Sequence, residues 1–411
     1  MKKIALPILV ILLLITGCWQ QTIKKPISLK FIGKPMLTGD RGDNWCVTWG
    51  ADGMLYTAQC DGRGWVDEQN QIRAFRNHQL WQIAGGPDSA SFKATPVSGY
   101  PDYTRIAQSE IYGPIDSTDS YGSFPPKPRR DTWTWYGYGV VSIDGDFYQF
   151  ISHCAEKSGF GWFDGSQLIY RKKGEKNWLR WNGTDASDSN RWHLNQGGNQ
   201  LLFFNEPSQA FSFITIAQYG KDYQLNKDGY VYLYSPEGKE NAHTINMARV
   251  KKEDIIDRNL WEFFNGKDEN RQPVWSKNIT DRGAVHTFPA GWGFYSWSPS
   301  VVYNKQLNLF VMAVAGTQKP ETGGVLAKFM HNEPAALKML WAENPWGPWT
   351  EFYTDEVWNI GDSLNRTYLP QISPKWISED GKKMYLVYSD AGRGFGKHYK
   401  WNMQQFELLF E

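Results

Sequence analysis

The stretch Asp43–Trp65, DNWCVTWGADGMLYTAQCDGRGW, reads as a β-hairpin. Two runs rich in β-branched and aromatic residues meet at Asp52-Gly53, a dipeptide that accepts the positive φ of a tight turn. Antiparallel pairing then brings the two open ends together at one edge of the sheet. Those ends are polar: Asp43, Asn44 and Trp45 lead in, while Asp61, Arg63 and Trp65 lead out. That edge is the first candidate for a functional site.

The same hairpin returns along the chain, and the repetition decides the fold class. A second unit runs from Asp131 to Trp181, turning at Asp144-Gly145 and again at Asp164-Gly165, with a fourth strand at Trp178–Trp181. A third has Phe211–Tyr219, Asp228-Gly229, Tyr230–Tyr234 and Ile245–Val250; a fourth has Trp297–Tyr303, Leu309–Ala315 and Ala336–Ala342. The fifth pairs Ile372–Ser378 with Lys383–Ser389 across Asp380-Gly381 and ends on Tyr399–Leu409. Four strands per unit is the count of a propeller blade, so the pattern predicts an all-β, five-bladed β-propeller with a sandwich as the alternative. Ring closure makes the first strands converge on one polar mouth. The short strand Ile27–Ile32 suits the outer edge of the last blade. Lys251–Phe264 is expected to form one helical patch, with Ile255, Ile256, Leu260 and Phe263 on one face. Ser89–Arg130, rich in Pro, Gly, Ser and Tyr without period, reads as a packed loop over the site.

Composition narrows the partners. With 44 basic and 43 acidic residues the chain offers no field for nucleic acid or for an acidic membrane face. It carries 21 Trp, 21 Tyr and 22 Phe, either packed between sheets or lining a cleft that stacks on sugar faces.

Residues 1–18 read as a signal peptide: Lys2 and Lys3, then an apolar run Ile4–Ile15 too short for the roughly 20 residues of a membrane span. Its end, Leu14-Ile15-Thr16-Gly17-Cys18, resembles the bacterial lipobox, which implies lipidation of Cys18 and an anchor outside the cytoplasm. Trp19 after the cysteine fits the outer-membrane class in a cell with two membranes. Residues 19–34 are then a tether and short strand, and 35–411 a single propeller domain. Of the remaining cysteines, Cys46 and Cys60 stand at nearly matched distances from the first turn. A cross-strand disulfide and a pair of buried free thiols both stay open.

Several ordered stretches resemble one known family. Asp43-Asn-Trp, Thr48-Trp-Gly-Ala-Asp-Gly, Tyr56, Asp61-Gly, Ala248-Arg-Val-Lys-Lys-Glu-Asp-Ile, Ser300-Val-Val-Tyr-Asn, Pro345-Trp-Gly-Pro-Trp and Pro374-Lys-Trp-Ile-Ser-Glu-Asp-Gly with Met384-Tyr-Leu-Val-Tyr are similar to the bacterial domain-of-unknown-function family 4185. Some of its members are endo-D-arabinanases. The resemblance implies a five-bladed propeller with an active cleft on its axis, as in the arabinanases of glycoside hydrolase family 43, and cleavage of arabinofuranosyl chains.

Glycoside hydrolysis needs two carboxyl groups across the bond and no metal. Asp43 is the first candidate. Asp61 is the second, either as a partner or as the charge that tunes Asp43. Glu206 and, behind it, Glu110 are candidates for the opposing acid. Trp45, Arg63, Tyr138, Gln218, Trp297, Asn365 and Tyr368 fall near predicted openings of first strands, where they could bind sugar hydroxyls or stack on rings. No Cys/His spacing suggests zinc, and no oxygen-ligand motif points to a structural Ca²⁺, although one on the axis stays open. The reading is a monomeric, lipid-anchored glycoside hydrolase acting on a polysaccharide or oligosaccharide in the cell envelope. A non-catalytic carbohydrate-binding lipoprotein and a protein-interaction propeller are the alternatives.

Overall fold

The computed structural model describes residues 24–65, 76–101, 133–155, 163–187, 202–204, 210–236, 243–289, 298–317, 335–359, 367–390 and 398–411. Among the described residues the structure is all-β, without an α-helix, and its five sheets form a five-bladed β-propeller. Strand β1 (Ser28–Thr38) comes first in the chain and last in the ring. Blade 1 holds β2 (Val47–Trp49), β3 (Leu55–Gly62), β4 (Arg76–Ala84) and β5 (Lys93–Pro96). Blade 2 holds β6 (Trp133–Ile143), β7 (Asp146–Ala155), β8 (Phe163–Arg171) and β9 (Leu179–Arg180). Blade 3 holds β10 (Thr215–Ile216), β11 (Tyr230–Ser235), β12 (Thr244–Lys251), β13 (Glu262–Lys267) and β14 (Pro273–Ser276), with β15 (Ala284–Thr287) paired to β12. Blade 4 holds β16 (Ser300–Asn304), β17 (Leu309–Thr317), β18 (Ala335–Ala342) and β19 (Thr350–Asp355). Blade 5 runs β20 (Thr367–Ile372), β21 (Lys383–Asp390) and β22 (Trp401–Leu409), with β1 added outside β22.

The recurring Asp-Gly pair has a local physical reason. In blade 1 the Asp52 carboxylate accepts the Met54 N–H at 3.0 Å and the Tyr56 hydroxyl at 2.7 Å. In blade 3 Asp228 does the same for the Tyr230 N–H at 3.0 Å and the Tyr232 hydroxyl at 2.6 Å. The aspartate thus closes the turn and pins a core tyrosine two strand positions later. The glycine supplies the left-handed step, with φ of +84° at Gly53 and +78° at Gly229.

Because each blade is covered by a neighbour on both faces, the core lies in the seams between blades. Trp45, Trp65 and Trp81 of blade 1 meet Trp401 of blade 5, with ring centroids 5.1–5.5 Å apart along Trp81–Trp65, Trp65–Trp45 and Trp45–Trp401. Other tryptophans, among them Trp135, Trp178, Trp261 and Trp358, are buried in the remaining core clusters. Strands β2, β6, β10, β16 and β20 pack against one another in that order and surround the axis.

Strand direction fixes two ends of this axis. Thr367 pairs with Asp390, and Thr38 with Trp401, at one end; Ser28 pairs with Leu409 at the other. Asp43 belongs to the first end, and the chain enters the fold from the second.

Three local expectations are corrected, and one alternative left open is settled. Lys251–Phe264 is not helical: two 3-10 turns, Lys252–Asp254 and Arg258–Leu260, lead into β13, and Phe263 pairs with Ala248 as sheet. Asp164-Gly165 is strand within β8, and the first strand of blade 5 precedes Ile372–Ser378 instead of coinciding with it. Cys46 and Cys60 are buried free thiols. The ladder that pairs Val47 with Thr57 sets Cys46 opposite Ala58, whose N–H bonds the Cys46 carbonyl at 2.8 Å, while Cys60 pairs with Asp43, so the two sulfurs do not stand across from each other. Most of the proposed loop over the site, residues 102–130, lies outside the described residues.

Candidate active site at one end of the propeller axis

Asp43 is built into the mouth by a β-bulge. Its N–H and C=O exchange hydrogen bonds with Cys60 at 3.0 and 2.9 Å. Asn44 follows in the left-handed region at φ +56°, and its carbonyl accepts the Cys46 N–H at 2.7 Å. This kink departs from the ladder before regular pairing resumes at Val47–Thr57. Similar left-handed residues stand near the same ends of other first strands: Phe211 at φ +57°, Ser298 at +54° and Leu369 at +52°. Strained residues of this kind concentrate where a fold aims side chains at a site.

Blade 5 supplies the partners of Asp43. The Tyr368 hydroxyl donates to Asp43 Oδ2 at 2.6 Å, and the Tyr399 hydroxyl donates to the same oxygen at 3.0 Å. Asp43 Oδ1 is buried and has no hydrogen-bond partner among the described residues. Neighbouring backbone is stitched to the same blade: Gly42 N–H donates to the Tyr399 carbonyl at 3.2 Å, and Ser389 Oγ donates to the Gly42 carbonyl at 2.9 Å.

Burial dominates the electrostatics. The Asp43 side chain is 4% exposed, and desolvation raises its carboxyl from 3.8 to about 7 against the opposing pull of the two phenols. Asp61, at φ +46° on the neighbouring strand, keeps part of its surface exposed. Its carboxyl is nevertheless pushed well above the ordinary range, first by burial and then by the charge of Asp43, while Arg41 pulls it down. Both carboxyls are therefore held toward the protonated form, each by its burial, with the charge of Asp43 adding to the upward push on Asp61. Such a pair can give or take a proton at physiological pH, which is the chemistry of acid–base hydrolysis.

The predicted residues separate into four groups. Asp43, Asp61 and Tyr368 come together. Arg63 is near: it is partly exposed, and its guanidinium lies 3.9 Å from Asp40. Trp45, Tyr138 and Gln218 are corrected. Trp45 is 1% exposed, donating its indole N–H to Ser389 Oγ at 2.8 Å inside the tryptophan seam. Tyr138 is 2% exposed with its ring 3.7 Å from that of Phe213, and Gln218 spends its amide on the carbonyls of Val140 and Ile216 at 3.0 and 3.1 Å. Tyr368 is corrected in role: 3% exposed and turned onto Asp43, it holds a carboxylate and presents no face to a sugar. Cys18, Glu206, Glu110, Trp297 and Asn365 lie outside the described residues. Tyr399 was not among the expected residues; its only signal is a place just before the final strand.

These observations define a five-bladed propeller with two neighbouring carboxyls, both raised by burial, at one end of its axis. The chain belongs to the family described as Domain of unknown function (DUF5005), whose model matches residues 120–402. This is a different family model from the one the short motifs resemble. No curated protein matches the sequence. Among solved structures, the chain is similar to a candidate hydrolase from Bacteroides ovatus ATCC 8483, with a TM-score of 0.52 at 12% identity over 90% of this chain and 87% of that one. It also aligns with the GH43_1 enzyme from Xanthomonas citri complexed with xylose, at TM-score 0.42 and 11% identity over 92% and 90% of the two chains. A third is the alpha-L-arabinofuranosidase PaAbf62A from Podospora anserina in complex with cellotriose, at TM-score 0.42 and 8% identity over 94% and 98%. At these identities the likeness is one of fold.

Proposed function

We propose that this protein is an extracytoplasmic glycoside hydrolase, with arabinofuranosyl chains as its first substrate class, working by a two-carboxylate mechanism. The observation that supports this most is Asp43: a buried carboxyl near pH 7, coupled to Asp61, with one oxygen held by two phenols and the other unpartnered. In the reaction one carboxyl protonates the departing glycosidic oxygen while the other takes the proton of an attacking water or bonds to the sugar. Asp43 carries the proton at one side of the bond, Asp61 tunes it, and Glu206 is the candidate across from it. This route needs neither metal nor organic cofactor.

Cys18 is proposed as the lipidated residue, holding a monomer to the envelope. Lys24 enters the fold at the end opposite Asp43, so such an anchor would leave the mouth facing away from the membrane. The test is incubation of the protein lacking residues 1–18 with D-arabinan, L-arabinan and other furanose and pyranose polymers, followed by chromatography of released oligosaccharides. Release by wild type and not by Asp43→Asn is expected. Absence of release from every glycan would move the reading to a carbohydrate-binding lipoprotein without catalysis.

A further inference from the structure

We infer that Tyr368 and Tyr399 are positioning residues that commit Oδ2 of Asp43 to the protein and leave Oδ1 as the single oxygen through which this aspartate exchanges a proton with its substrate. The inference rests on the hydrolase reading for its substrate and on geometry for the rest.

Oδ2 accepts from both phenols, at 2.6 and 3.0 Å, which commits the one O–H of each tyrosine to that oxygen. An oxygen that already accepts two O–H donors is a poor place for a proton, so the carboxyl proton belongs on Oδ1. That atom is buried without a partner among the described residues, a costly state for a carboxylate oxygen unless a ligand group or water meets it. Both tyrosines are themselves buried, at 3% exposed each, so their hydroxyls are fixed on Asp43 and are not free to serve a ligand. The backbone around them is committed too: β20 breaks its ladder between Tyr368 and Gln371, with Leu369 left-handed at φ +52°. The step balances in either direction. As a base, Oδ1 gains the proton of the attacking water while the opposing carboxyl gives its own proton to the leaving oxygen. As an acid, Oδ1 loses its proton to the leaving oxygen while the opposing carboxylate takes the proton of water. In both, one water is consumed and the phenols steady the ionised form. Among the described residues, the charged and titratable groups around Asp43 are Asp61, whose carboxyl is raised in part by the charge of Asp43, Arg41, which acts on Asp61, and Cys60, Tyr368 and Tyr399.

The test is a carboxyl titration of Asp43 by carbon-13 NMR in wild type, Tyr399→Phe and Tyr368→Phe, with Tyr353→Phe on the outer strand of blade 4 as control. Each active-site variant is expected to move the Asp43 midpoint upward by about one unit, because a donor to the charged form is lost. The pH–rate limb governed by Asp43 should move with it, and kcat should fall by about 10–100-fold with little change in KM. An unmoved midpoint in both variants overturns the inference. Should both fail to fold, a deuterium isotope shift at the Asp43 carboxyl carbon of wild type, on exchanging the phenol hydrogens, reads the same hydrogen bonds; its absence also overturns it. If wild type cleaves no glycan, the hydrolase reading fails while the titration still judges the phenol pair.

Discussion

Two buried aspartates sit at opposite ends of the propeller axis, and their surroundings differ in kind. Asp222, 5% exposed, accepts the Ser142 hydroxyl at 2.6 Å and the Gly145 N–H at 3.0 Å, and its own N–H donates to the Trp49 carbonyl at 2.7 Å. It clasps blades 1, 2 and 3 together with neutral donors. Asp43, 4% exposed, faces a second carboxyl and keeps an oxygen without a partner. Burial alone therefore does not mark a functional carboxylate; burial with a like charge and an unfilled oxygen does.

The largest expected effect breaks the functional side of this contrast. Asp43→Asn should lower kcat on a cleaved glycan by about 10³-fold, within the usual range for an acid–base group, and leave the melting temperature at pH 8 unchanged or raised. Asp222→Ala should do the reverse, keeping the pH–rate midpoints while costing about 2–4 kcal/mol in urea unfolding, since the Ser142 hydroxyl and the Gly145 N–H lose their acceptor.

The same contrast is sharpened by pH. Folded Asp43 holds its proton to about pH 7 where an unfolded aspartate releases it near 3.8, so its contribution to stability is full below 3.8 and is lost as pH rises to 7. Buried His78 has the opposite sign: lowered from 6.5 to about 3, it contributes above 6.5 and loses that contribution as pH falls. In wild type the two slopes oppose each other between pH 4 and about 6.5. Asp43→Asn should remove one falling slope and leave those of Asp61 and His78, so that the net slope across that window shifts toward stability rising with pH in urea melts, whereas Asp222→Ala should leave the wild-type balance in place.

A smaller effect on kcat is expected from the seam that carries Asp43. Removing the Trp401 indole in Trp401→Ala should cost about 3–5 kcal/mol, close to the Asp222 effect, but with only a several-fold loss of kcat while the protein remains folded. The smallest comes from the thiols: Cys46→Ala should cost about 1 kcal/mol, with the same value under reducing and oxidising conditions, because no disulfide is lost.

Much of the architecture was legible because four of the five blades repeat an Asp-Gly turn, which does the same local work at Asp52 and Asp228. The position of Asp43 was legible for a related reason, since a hairpin must bring its ends to one edge. The aromatic lining was not. Both faces of a blade are covered, so strands such as β16 and β20 are buried at every residue, and alternation cannot separate a ring facing the axis from one filling a seam. Trp45 and Tyr138 were misread for that reason. Tyr399 was invisible because its partner stands 356 residues earlier and meets it only through ring closure. The Cys46–Cys60 spacing left disulfide and free thiols open because only the exact register decides between them, and the ladder that pairs Val47 with Thr57 sets Cys46 opposite Ala58.

The most direct test is a crystal structure of Asp43→Asn soaked with an arabinofuranosyl oligosaccharide. The account predicts a sugar oxygen, or the water poised to attack it, within hydrogen-bond distance of the residue-43 side-chain atom that the two tyrosines leave free. An oligosaccharide bound elsewhere on the propeller, with that atom covered by protein, would contradict it.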